Sequence, residues 1–148
     1  CLSDIQTVRV RARNRETLHM LKKLALAATA ITLATPALAD PVLGLYKTQP
    51  GDDGNYAHVE LYQCDSEICG VIRATFDGAG NAIESDNIGK RMIWDMTANG
   101  NGAYSGGKIW APDRDKTYKS KMELSGNDLS VSGCVAIICR SQSWSRVK

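Results

Sequence analysis

The chain has 148 residues, with 18 Lys and Arg against 16 Asp and Glu and a formal net charge of +2. Residues 1–39 hold six of those bases and two of the acids, so residues 40–148 carry 12 bases against 14 acids and are mildly acidic. That excludes a basic nucleic-acid footprint, and the remaining 109 residues suffice for one domain with one core but not for two.

Residues 1–19 carry Arg9, Arg11, Arg13 and Arg15 ahead of Met20, and read as an upstream extension from a misassigned translation start. Residues 20–39 read as a secretory signal peptide. Lys22 and Lys23 precede an apolar stretch from Leu24 that ends in Ala37-Leu38-Ala39, a basic n-region, short h-region and A-x-A site in order. Pro36 breaks the stretch, which falls short of the ~20 apolar residues a membrane span needs. The expectation is a periplasmic or secreted protein cleaved after Ala39, with no stable membrane span afterwards.

Four cysteines follow: Cys64, Cys69, Cys134 and Cys139, in two C-x4-C pairs. An even count in an exported chain reads as disulfides, with three possible connectivities. Hairpin geometry favours Cys64 with Cys69 and Cys134 with Cys139, because sulfurs on neighbouring strand ends lie within bonding reach. A zinc site is disfavoured, since the spacing is not C-x2-C and His58 is the sole histidine of residues 40–148.

Turn signals recur at 50–55 (PGDDGN), 77–81 (DGAGN), 98–102 (ANGNG), 112–115 (PDRD) and 125–128 (SGND). Between them apolar and polar residues alternate. Ala57, Val59 and Leu61 are set against His58 and Glu60, and Tyr118, Ser120, Met122 and Leu124 against Lys119, Lys121 and Glu123. That period of two predicts strands over 42–48, 56–64, 69–76, 90–97, 103–111, 116–124, 128–134 and 139–147. Short connections make consecutive strands antiparallel neighbours, and eight of them can close on themselves and remove both edges. The expected class is all-β, an eight-stranded antiparallel up-and-down barrel, preferred over an open sandwich because most loops are too short for Greek-key crossings.

The segments PVLGLYKT, GNYAHVELYQC, NIGKRMIWDM, GGKIWAPDRDKTYKSKMELSG, LSVSGC and CRSQSWSRV together resemble the bacterial exported family known as domain of unknown function 2147. The resemblance spans nearly all of residues 40–148. It implies a lipocalin-like (calycin) barrel and no particular biochemical activity. The wider calycin pattern has G-x-W on the first strand and an arginine on the last strand packed over that aromatic. Gly44-Leu45-Tyr46 matches with Tyr in place of Trp, and Arg146 is the corresponding arginine, which implies structural roles for Gly44, Tyr46 and Arg146.

Candidate chemistry is thin. Asp113, Asp115 and Thr117 spell the D-x-D-x-T of aspartate-nucleophile phosphatases, but Pro112 directly before Asp113 marks a turn and the chain lacks the helices of that fold. His58 has no triad signature around it, and no serine lies in G-x-S-x-G. No cofactor or metal motif is present, and the balance is against an enzyme. What remains is a set of large residues that alternation can place inside the barrel: Met92, Trp94, Met96, Trp110, Tyr118, Met122 and Trp144. Lys108 shares a strand face with Trp110, so one parity turns both inward and the other turns Ile109 inward. An inward Lys108 would hold a ligand anion, with Arg91 or Arg114 at the mouth. The expected ligand set is therefore Met92, Trp94, Lys108, Trp110, Arg114, Tyr118 and Met122. The expected partner is a small hydrophobic or amphipathic molecule held in the barrel. The alternative is a non-catalytic envelope or host-interaction protein with a fully packed barrel.

Overall fold

The computed structural model describes residues 36–148; the upstream extension and most of the predicted signal peptide lie outside them. Nine strands follow in chain order: β1 (Gly44–Lys47), β2 (Tyr56–Cys64), β3 (Glu67–Phe76), β4 (Ala82–Ile83), β5 (Arg91–Gly100), β6 (Ala103–Ala111), β7 (Lys116–Ser125), β8 (Asp128–Val135) and β9 (Ile138–Arg146). All pairings are antiparallel. They run β1–β2–β3–β5–β6–β7–β8–β9 and return from β9 to β1, so eight strands close into an up-and-down barrel. The eight expected strands are all present. The two-residue β4 is the addition, lying along the end of β3 where the long 77–90 connection turns back.

Both cysteine pairs are bridged, Cys64 to Cys69 and Cys134 to Cys139. The strands run past the cysteines, so each C-x4-C interval holds a two-residue turn: Asp65-Ser66 between β2 and β3, and Ala136-Ile137 between β8 and β9. Asn101-Gly102 and Gly126-Asn127 make two further turns of the same length. Asp65, Asn101, Gly102, Gly126 and Ala136 all have positive φ, the conformation that matches a tight hairpin to the twist of its strands.

Of the register shifts in the sheet, two bear directly on which residues of β5 and β6 point inward. Along β3 and β5, Ile68 pairs with Met96 but Gly70 pairs with Ile93, so β5 carries one extra residue there, and Asp95 has φ 56°. Along β6 and β7, Tyr104 pairs with Met122 but Gly107 pairs with Ser120, and the extra residue is Gly106, with φ 76°. Glycine suits that position because it takes a positive φ without a Cβ penalty. The two bulges sit on adjacent strands, which keeps β5 and β6 in step: Trp94 opposes Lys108 and Thr97 opposes Ser105. The result is a buried cluster of Val42, Tyr46, Val59, Leu61, Ile68, Ile72, Ile93, Met96, Tyr104, Met122, Leu129, Val131 and Trp144.

The barrel has two unlike ends. At one lie the start of β1, the end of β9 and the β2–β3, β5–β6 and β7–β8 turns. Tyr46 is fully buried there and donates from its hydroxyl to Val42 O at 2.9 Å. The Arg146 guanidinium lies 4.8 Å from the Tyr46 ring centroid and donates to Leu43 O at 2.8 Å and Pro41 O at 2.6 Å. Gly44 makes this possible, since a Cβ there would stand 2.7 Å from Arg146 Nη1. Tyr104 donates to Asp40 Oδ1, fastening the segment before β1 across the same end. Burial, and then the neighbouring carboxylate, push the Tyr104 phenol well above its ordinary range. Burial also raises Tyr46, with Arg146 acting in the opposite sense.

Candidate functional site

At the other end the inward face is only partly filled. Down β9 it reads Trp144, Gln142, Arg140 and Ile138: Trp144 is fully buried, and the next three are exposed. Down β7 it reads Met122, Ser120, Tyr118 and Lys116, passing from buried through half-buried to exposed. The packed core therefore stops near the level of Trp144 and Met122. Above it the inward-facing residues become exposed toward the β6–β7 and β8–β9 turns, which makes this end of the barrel an open cup.

The register identifies the lining. Gly107, Ser120, Gly133 and Arg140 lie side by side on β6, β7, β8 and β9. One step nearer the mouth, Ile109 opposes Tyr118. Gly133 faces the interior between those two, because a Cβ on it would meet Ile109 Cγ2 and Tyr118 Cβ, each at 3.6 Å. Gly107 faces inward too, its missing side chain replaced by the Met96 thioether. At the floor, Trp144 Nε1 donates to Gln142 Oε1 at 3.1 Å. Ser120 is 5% exposed and its Oγ has no hydrogen-bond partner among the described residues. An unpartnered buried hydroxyl costs about 1–3 kcal/mol, so such a group calls for an explanation. Glycine on both neighbouring strands leaves this hydroxyl without a flanking side chain to bond it.

The expected ligand set is divided by this geometry. Met122 and Tyr118 face inward, the first in the core and the second on the cup wall, and Met92 is half-buried against the core. Trp94 and Lys108 oppose each other on the outer face, not in the interior. The reason is the bulge at Asp95, which puts Ile93 and Met96 inside and so separates Trp94 from Met96. Lys108 reaches Asp95 at 3.7 Å outside the barrel, both side chains half-exposed, a pair that contributes little in solvent. The inward residue of that strand is Ile109.

Trp110 is half-buried at the margin of the core, with its indole nitrogen donating to Asp115 Oδ1 at 2.9 Å and Lys90 Nζ 5.4 Å from its ring centroid. Arg114 is exposed in the β6–β7 turn beside Asp113, at 3.5 Å, away from the interior. Of the D-x-D-x-T residues, Asp113 and Asp115 thus lie in the turn, with Asp115 serving as an acceptor for Trp110, and Thr117 lies in β7 opposite Trp110. His58 packs on the outer face with Tyr56 and Phe76, its ring 4.5 Å from that of Phe76. Burial, then Lys47, hold its pKa below the ordinary histidine value. Among the described residues no group of three or more His, Cys, Asp or Glu is placed to hold a metal ion, and no helix is long and apolar enough to cross a membrane.

Sequence reasoning missed Ser120, Gly133, Arg140 and Gln142. Alternation had put Ser120 on the Tyr118 and Met122 face, which was the available signal; nothing in the sequence marked its hydroxyl as unpartnered.

A closed eight-stranded antiparallel barrel, fastened at one end by an arginine over an aromatic and open at the other, defines a lipocalin-like fold. Its similarity to HP1028 of the human pathogen Helicobacter pylori, described as belonging to the lipocalin family, is one of fold: TM-score 0.61 at 18% identity, over 74% of this chain and 85% of that one. Residues 44–146 match the family described as "Uncharacterized protein conserved in bacteria (DUF2147)", and the chain belongs to that family. No curated protein matches it. The family is bacterial, and the two disulfides fit an oxidising compartment outside the cytoplasm.

Proposed function

We propose that this protein is an exported, non-catalytic binder that takes a small, partly hydrophobic molecule in the open half of its barrel. The observation that carries the reading is the Ser120 hydroxyl, inward-facing, buried and unpartnered just beneath the cup that Ile109, Tyr118 and Gly133 line. A ligand with an apolar body would lie against that wall, with one polar atom at Ser120 and an acidic head at Arg140 near the mouth. An acyl chain with a carboxylate or other anionic head has this chemistry. Small-molecule sites combine apolar walls with a few placed polar groups in this way. Export, by the signal peptide expected over residues 20–39, belongs to the same proposal.

Denaturing extraction of protein recovered from its native bacterium, followed by mass spectrometry, should release an amphipathic molecule in near-stoichiometric amount. Gly133→Trp, which fills the cup, should abolish its recovery. Recovery of nothing from the wild-type protein, together with no uptake of fatty acids in titration, would remove the proposal.

A further inference from the structure

The β8–β9 hairpin is unlike the other tight turns of the barrel. Three of the four two-residue turns use polar or glycine residues: Asp65-Ser66, Asn101-Gly102 and Gly126-Asn127. The fourth is Ala136-Ile137 inside the sequence Val135-Ala136-Ile137-Ile138. Ala136 adopts φ 52°, a left-handed conformation that disfavours any residue with a Cβ and that Asn or Gly would take readily. Local turn chemistry is thus set aside to keep this tip apolar. The apolar side chains do not enter the core: Ile137 is 96% exposed, Ile138 71% and Val135 63%. The bridge between Cys134 and Cys139, directly opposed at the base, holds the tip as a rigid projection.

Charge around the tip is mixed, with Asp113 and Asp115 flanking Arg114 in the neighbouring β6–β7 turn, but the charged residues that β7 to β9 hold at this end are all bases. Lys116, Lys119 and Arg140 are exposed toward the hairpin end, with Lys119 opposing Cys134 and Arg140 two residues below Ile138, and Lys121 follows at mid-strand opposite Ser132. The acids of the same three strands, Glu123 and Asp128, lie toward the opposite end. Among the described residues none of the four bases is in an ion pair. A protruding apolar tip with the unpaired cations Lys116, Lys119 and Arg140 on its own and the adjacent strand matches a surface that is anionic at its boundary and hydrocarbon beneath.

We infer that the β8–β9 hairpin docks on an anionic lipid bilayer, with Val135, Ile137 and Ile138 entering the headgroup and acyl boundary and Lys116, Lys119 and Arg140 meeting lipid phosphates. Because Val135 and Ile138 continue the inward face of their strands, docking brings the mouth of the cup to the lipid surface. The inference stands without any ligand in the cup.

The test uses purified protein and variants with identical N-termini, mixed with phosphatidylglycerol-containing or pure phosphatidylcholine vesicles. Binding is followed by co-sedimentation, and its site by hydrogen exchange. Vesicles containing phosphatidylglycerol should slow exchange at residues 134–140 and leave the opposite end unchanged. Paired Ile137→Asp and Ile138→Asp substitutions should lower the vesicle partition coefficient at least about tenfold while leaving the thermal midpoint unaltered, since both side chains are exposed. Lys119→Gln and Arg140→Gln should each lower it about fivefold at low salt and little at high salt.

No vesicle-dependent protection of the tip, equal binding of the Asp variants, or equal binding to phosphatidylcholine would each overturn the inference. Concentration-dependent dimerisation that protects the tip without lipid would overturn it too, in favour of a second copy as the occupant.

Discussion

Arg146→Met should open the barrel seam. The β1–β9 junction is short: only Tyr46 and Lys47 of β1 oppose residues of β9, at Arg146 and Ser145, whereas β8 and β9 pair from Asp128–Ser145 to Val135–Ile138. Arg146 adds what the backbone does not, two charged-donor hydrogen bonds to Leu43 O and Pro41 O and a cation lying over the Tyr46 ring. A charge-assisted bond contributes about 1.5–3 kcal/mol, and the partly solvated Pro41 carbonyl belongs below that range. The cation–π contact adds about 0.5–2 kcal/mol. A loss of roughly 3–5 kcal/mol follows, since methionine keeps the apolar stem but none of the donors.

With a urea m-value of about 1–3 kcal/mol/M, the unfolding midpoint should fall by roughly 1–5 M. Arg146→Lys, which keeps the charge but not the two-pronged donor geometry, should fall between the two. Hydrogen exchange should quicken first at Tyr46, Lys47 and Ser145, where β1 and β9 meet. A midpoint for Arg146→Met within about 0.5 kcal/mol of wild type would refute the view that this side chain carries the closure.

Ser120→Ala removes an unpartnered hydroxyl and should leave the unliganded protein as stable or more stable by about 1 kcal/mol in thermal melts, while weakening binding of any molecule that bonds Oγ. Gly133→Ala should be tolerated, its Cβ making ordinary contacts at 3.6 Å, whereas Gly107→Ala should destabilise by about 1–3 kcal/mol because its Cβ would lie 2.7 Å from Met96 Cε and 2.9 Å from Trp94 O; urea midpoints separate the two.

His58 should titrate below its ordinary value of 6.5 by NMR, and Lys47→Met should move it upward. A lowered histidine pKa means that the unfolded chain takes up the proton first. The His58 contribution is therefore complete above pH 6.5 and declines as pH falls below it, a decline that His58→Gln should remove from urea midpoints measured between pH 8 and 5.5.

Several features were legible in the sequence because they are local. Alternation in Ala57, Val59 and Leu61 and in Tyr118, Ser120 and Met122 marked β2 and β7 with correct bounds at nearly every residue. Cysteine spacing pointed to the pairing that both bridges adopt. The Gly44-Leu45-Tyr46 match pointed to the residues that Arg146 engages. Asp40 and its partner Tyr104 were not legible, because they are 64 positions apart and neither carries a local signal.

Period and punctuation alone determined that this chain is a ring of short antiparallel strands, since both depend on neighbours within a few residues. Only the tertiary structure decided which side chains face the interior. One extra residue at Asp95 and one at Gly106 shift the inward set, turning Trp94 out and Ile109 in, and a bulge is defined by hydrogen-bond register with the adjacent strand. The same holds for Ser120. Its hydroxyl is unpartnered because Gly107 and Gly133, on two other strands, stand beside it, and no single segment of sequence contains that arrangement.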